Sequence, residues 1–180
     1  MTSEESAEVG VDTSGGGQGA ASQQVISLIA NVDGKLGSHW VSDIKITNPY
    51  DQAITVVLQG TPHNTSAGAS DPTLTRTIQP GATLGIEDVY GALFGGQIEG
   101  KAHLIVNTSN LAGDQYAFPI ITSNIYNAAA DGREFQTFGA PVRTDRFYQA
   151  GTTLGDNTVK GPGERYNFDV VAGPSGAFSE

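Results

Sequence analysis

Between Trp40 and Leu58, two stretches of alternating residues face each other across an Asn-Pro turn, and no other feature constrains the fold as much. Trp40, Ser42, Ile44 and Ile46 fall on one face of a period-2 strand, with Val41, Asp43, Lys45 and Thr47 on the other. Asn48-Pro49-Tyr50-Asp51 then supplies the turn, because Asn bonds readily to nearby backbone and Pro fixes φ at the next position. The return strand sends Ile54, Val56 and Leu58 inward and Thr55, Val57 and Gln59 outward. A period of two does not suit a helix, so this segment commits the chain to β structure with one buried face.

The rest of the chain extends the pattern. Leu74 to Ile78 reads as a strand, and Gln79-Pro80-Gly81-Ala82 places Pro and Gly where a type II turn wants them. Thr83 to Ile86 is a further short strand. Glu87 to Phe94 is the one helical candidate: two acids suit the positive end of its dipole, and Gly95 suits a left-handed terminus. Lys101 to Asn107 alternates, with Ala102, Leu104 and Val106 on one face. Phe118 to Asn127 is apolar on both faces, which predicts a central strand covered on both sides. Short strands at this spacing predict an all-β fold, an antiparallel β-sandwich with one short helix. A β-barrel satisfies the same pattern.

Three regions follow from composition. Residues 1–24 carry Glu4, Glu5, Glu8, Asp12 and Gly15-Gly16-Gly17, with little to bury, and read as a flexible acidic leader without the basic and apolar parts of a secretory signal. Residues 25–142 form the sandwich module. Residues 143–180 are a Gly-rich connector followed by a partial second module or an exchanged strand: Tyr166, Asp169 and Val170 match Trp40, Asp43 and Ile44, and Gly173-Pro174 falls near the place of Asn48-Pro49.

Several short motifs recur in a fixed order. Ala30-Asn31-Val32-Asp33-Gly34, with Gly37, precedes Trp40-Val41-Ser42-Asp43-Ile44 and Asn48-Pro49. Pro80-Gly81 leads to Glu87-Asp88-Val89 and Leu93-Phe94-Gly95. Ser123-Asn124-Ile125-Tyr126-Asn127 and, after Gly132, the Phe135-to-Phe138 segment close the series. In this order they resemble a module found, often in tandem, in large secreted or cell-surface bacterial proteins of mostly unassigned function. The resemblance implies an immunoglobulin-like sandwich used as a spacer, adhesion or scaffold unit, and it brings no catalytic residues with it. Such modules usually carry an Arg after the serine, where this chain has Asn124.

Charge narrows the function classes. The 180 residues hold 9 Lys plus Arg against 19 Asp plus Glu, a formal net charge of −10, which disfavours nucleic acid and anionic membrane. With no cysteine there is neither a disulfide framework nor a thiolate metal site. The apolar runs fall far short of the ~20 residues of a membrane span.

No arrangement in the sequence marks a reaction. His39, His63 and His103 share no metal-site spacing and read as polar surface or loop. No serine lies in a nucleophile elbow, and adjacent Glu87 and Asp88 point apart, whereas a glycosidase pair faces one bond across ~5–9 Å. Asp33, Asp51, Asp71, Asp131 and Asp156 sit in loops where calcium can bind, but without an EF-hand string they read as turn residues. Trp40 reads as core, while Tyr50 and Tyr116 are the exposed aromatics a sugar platform would need. The expectation is therefore a non-enzymatic structural or interaction module without cofactor or metal. It belongs to an extracellular or cell-surface protein or filament and associates with copies of itself or neighbouring modules through sheet edges, loops or strand donation. The alternative is a carbohydrate-binding module whose partner is a glycan.

Overall fold

A computed structural model describes residues 22–65, 67–96, 98–113, 115–128, 136–139 and 141–143. In chain order the elements are β1 (Ser22–Asp33), β2 (His39–Thr47), β3 (Ile54–Pro62), β4 (Thr73–Ile78), β5 (Thr83–Ile86), helix α1 (Val89–Phe94), β6 (Gly100–Thr108), β7 (Ile120–Asn127), β8 (Gln136–Gly139) and β9 (Val142–Arg143). The strand pairs are antiparallel and run β4-β3-β6-β1-β2-β7-β8, with β5 also on β2 and β9 also on β1. The all-β expectation with one short helix holds. The strands nevertheless join in one nine-stranded sheet that curls towards a barrel, where two separate sheets were expected.

The reason lies in β1 and β2. They pair with each other only from Asn31–Val41 to Asp33–His39 and then diverge. Beyond that corner β1 runs beside β9, and β2 runs beside β5. Ser42 bridges the opening, its hydroxyl accepting from the Ala30 amide at 2.8 Å. A bulge between Ile26 and Ile29 bends β1 and returns both side chains to the interior. One wing, β4-β3-β6-β1, thus folds over the other, β5-β2-β7-β8.

The two wings share one core. Ile26 and Ile29, Ile44 and Ile46, Ile54, Val56 and Leu58, and Leu104 and Val106 pack together from β1, β2, β3 and β6. The expected inward sets of β3 and β6 are therefore correct, and that of β2 is correct except for Trp40. Helix α1 closes one end of this core with Val89 and Tyr90. Gly60 makes the docking possible, since a Cβ there would lie 2.8 Å from the Phe94 ring.

Three expectations need correction. β7 is covered on one face only in its first half: Ile121 and Ser123 are buried and Ile120 is 59% exposed, while Asn124 to Tyr126 are half-buried. Its apolar outer residue misled the sequence reading, because an exposed isoleucine is chemically identical to a buried one. Trp40 is half-buried and lies outside the core cluster, its indole resting over Gly34 of the hairpin. β1 also begins at Ser22, before the expected start at Val25. The leader through residue 21, the Gly-rich connector beyond Arg143 and the second-module segment lie outside the described residues.

Two of the connections between the wings, β2 to β3 and β4 to β5, are pinned by one side chain. Asn48 is fully buried, and its amide donates to the carbonyls of Gln52, Ile78 and Gln79 at 2.8–3.1 Å. Its Oδ1 accepts from the Tyr50 amide at 3.0 Å, and its own backbone bonds to Gly81 and Ala82. The Gln79–Ala82 turn closes with an Ala82 amide to Gln79 carbonyl bond, and Gly81 has φ 68°, as a type II turn requires. Replacing Asn48 by Ala leaves several buried backbone groups unpaired and is expected to destabilise the fold by about 3 kcal/mol. Urea denaturation measures this; a loss below about 1 kcal/mol would contradict the assignment.

Candidate functional site

The histidines separate into different settings. His63 is exposed in the β3–β4 loop, and its amide donates to the Lys101 carbonyl. His103 faces outward from β6 as expected but is only 7% exposed, so the surface reading of it is corrected. The β3–β4 loop crosses its neighbourhood. Asp71 accepts from the Thr61 hydroxyl at 2.5 Å and from Gln59 Nε2 at 3.3 Å, and Thr61 is the cross-strand partner of His103. Asp71 is therefore occupied as a loop tie, and Asp51 is an exposed turn residue. Asp131 and Asp156 lie outside the described residues.

His39 starts β2 directly opposite Asp33 at the end of β1, with His39 Nδ1 2.8 Å from Asp33 Oδ1. Glu99, just before β6, brings a third group to the same place, and one donor atom from each of the three lies within 4.8 Å of the others. The signal for the Asp33–His39 pairing is that both flank the short hairpin Gly34–Ser38, although Asp33 had read as a turn residue and His39 as polar surface. Glu99 carries no such signal, because it arrives from a distant part of the chain through the β1–β6 ladder. Among the described residues no serine hydroxyl bonds to an imidazole, so no nucleophile–base pair is assembled there.

A second acidic region surrounds the start of α1. Asp88 caps the helix with φ 43°; its carboxylate accepts from the Gly91 amide and Asn31 Nδ2, and its own amide donates to Asp43. Helix capping thus accounts for Asp88 as expected, while Glu87 lies outside the helix and lines a groove of about 480 Å³ with Asp43, Ile44, Lys45, Gly85 and Ile86. Asn124 faces Asp43 across the β2–β7 ladder, and its buried Oδ1 has no partner. Burial, the charges of Asp43, Glu87 and Asp88, and a hydrogen bond to Asp43 all push the Tyr126 hydroxyl above its ordinary pKa. At neutral pH the Tyr126 hydroxyl therefore stays protonated.

Among the described residues the aromatics form no flat platform. Tyr50 is a strut: its hydroxyl donates to the Phe118 carbonyl at 3.2 Å and accepts from the Phe118 amide at 2.8 Å. That corrects its reading as an exposed aromatic. Tyr116 is 59% exposed, but its ring is tilted 36° from that of Phe118, over which Arg143 stacks at 3.5 Å.

The most open feature is an edge. Among the described residues β4 pairs with β3 alone. The Gly60 amide bonds to the Pro72 carbonyl, so by antiparallel alternation Leu74, Arg76 and Ile78 bond to β3. Thr73, Thr75 and Thr77 aim their N–H and C=O groups outwards. Among the described residues the guard on this edge is Arg76, whose Nη1 donates to the Thr75 carbonyl at 2.9 Å. Lysine, proline and bulges, the usual means of blunting an edge, are absent from Thr73–Ile78.

His103 generates a test of its own. Burial is the main cause lowering its pKa, with His63 acting in the same direction and Asp71 opposing, and its Nε2 is buried without a partner. The unfolded chain, with an ordinary imidazole near pH 6.5, therefore binds a proton before the native state does. Stability is lost as pH falls below about 6.5 towards the lower folded value. His103→Leu is expected to flatten that decline and to gain about 1 kcal/mol at neutral pH. Unfolding curves across pH 5 to 7.5 check it; an unchanged slope would contradict the account.

No protein family model matches the chain, and no curated protein matches it. Among solved structures it is similar to Thermotoga maritima 1070, with 13% sequence identity and a TM-score of 0.45, over 67% of this chain and 93% of that one.

Proposed function

We propose that this chain is a non-enzymatic structural module that associates with a second copy of itself, edge to edge, through β4. The reading takes the doubled-over sheet as an immunoglobulin-like sandwich with the β1–β2 corner as the seam between its wings. The observation that carries it is the open edge, where three successive outward-facing threonine backbones have no covering element among the described residues. Strand addition to such an edge uses main-chain bonds that any extended segment can supply.

The segment is self-complementary. Antiparallel pairing about Thr75 sets Thr73 against Thr77 of the partner and Leu74 against Arg76, so no like charges meet. About six new backbone bonds at roughly 1 kcal/mol each oppose an association cost of roughly 4–15 kcal/mol. The pair is therefore weak and depends on concentration, which suits modules held close to one another on a surface or in a filament. That setting is extracellular on this reading, in keeping with the acidic, low-lysine composition.

Light scattering after size exclusion is expected to show mass rising above 18.7 kDa with concentration. Thr75→Pro removes an N–H that β3 does not use, so the fold persists while association is lost. Arg76→Ala frees the Thr75 carbonyl and strengthens association. A Thr75→Pro protein that assembles like the wild type, or a wild type that stays monomeric at millimolar concentration, would overturn the proposal.

A further inference from the structure

We propose that Asp33, His39 and Glu99 bind a divalent transition-metal ion of the zinc type. The three belong to neighbouring strands: Asp33 and His39 are cross-strand partners, and Glu99 precedes Gly100, which pairs with Asn31 of β1. One donor atom from each lies within 4.8 Å of the others. Around a tetrahedral zinc with bonds of about 2.0–2.2 Å, donors stand roughly 3.3–3.6 Å apart. Side-chain rotation alone covers that difference.

The supporting backbone is held in place. The His39 amide donates to Asn127 Oδ1 at 2.9 Å, and its carbonyl accepts from the Ala128 amide at 2.7 Å. The hairpin closes with the Gly34 amide donating to the Ser38 carbonyl at 2.7 Å. Rotation of the three side chains therefore does not disturb the strands.

Charge favours the same conclusion. Among the described residues neither carboxylate has a lysine or arginine within 4.0 Å, and Asp33 has His39 as its ion-pair partner. A divalent ion offsets the charge of both carboxylates. One imidazole with two carboxylates suits zinc and its neighbours, whereas calcium and magnesium prefer oxygen donors alone. Asp33 is 75% and His39 33% exposed at the side chain, so an ion reaches the site without opening the core. Three protein donors leave a fourth position for water. This inference does not depend on association through β4.

Calorimetric titration of the chelator-treated full chain with zinc chloride tests it. One equivalent per chain is expected to bind with a Kd of about 10 μM or below. Glu99→Gln, an exposed and nearly isosteric change, is expected to weaken binding by about tenfold or more, and His39→Ala to abolish it. His63→Ala leaves binding unchanged, and calcium chloride gives no comparable binding. Absence of saturable binding below about 1 mM overturns the proposal. So does wild-type affinity in Glu99→Gln and His39→Ala, or calcium binding as tight as zinc.

Discussion

The fold depends first on the buried amide of Asn48. The chain crosses between the wings of the sheet at residues 48–53, from β2 to β3, and at residues 79–82, from β4 to β5. Asn48 lies in the first crossing and donates to the carbonyls of Ile78 and Gln79, at the threshold of the second. Both crossings carry backbone groups that would be orphaned in an apolar interior, where each unpaired group costs about 1–3 kcal/mol. One side chain with two donors and one acceptor satisfies them together, and no apolar residue of that size can replace it.

The same anchor prepares the exposed edge. At its C-terminal end β4 is held by Asn48 through the Ile78 carbonyl. At its N-terminal end Asp71 ties the approaching loop to Thr61 and Gln59 of β3. A strand fixed at both ends and along one side loses little further entropy when a partner strand is added to the other. On the proposed reading the edge is thus ordered before a partner strand arrives, and a few main-chain bonds would suffice for weak association. Arg76, folded back onto Thr75, moderates that tendency.

Much of the architecture was legible because it rests on local chemistry. The alternation in Trp40 to Leu58, the Pro80-Gly81 turn, the Asp88 cap and Gly95 with φ 92° are each determined within a few residues. What was not legible arises from long-range closure. Whether two wings separate or join depends on a ladder of three residue pairs between β1 and β2, which a period-2 pattern does not encode. β7 was read as covered on both sides because composition reports hydrophobicity and not which face meets the core. His103 became buried, and Tyr50 became a strut to Phe118, through contacts made far along the chain. At the proposed metal site Asp33 had read as a turn residue and His39 as polar surface, and Glu99 was brought beside them by the β1–β6 ladder.

Residue-resolved amide hydrogen exchange at low and high protein concentration tests the central claim most directly. The account predicts that the amides of Thr73, Thr75 and Thr77, which face away from β3, exchange freely in dilute solution and gain protection together as concentration rises, while those of Leu74 and Ile78 stay protected throughout. Association without added protection at the three threonines would show that copies meet elsewhere, and the edge would lose its place in the account.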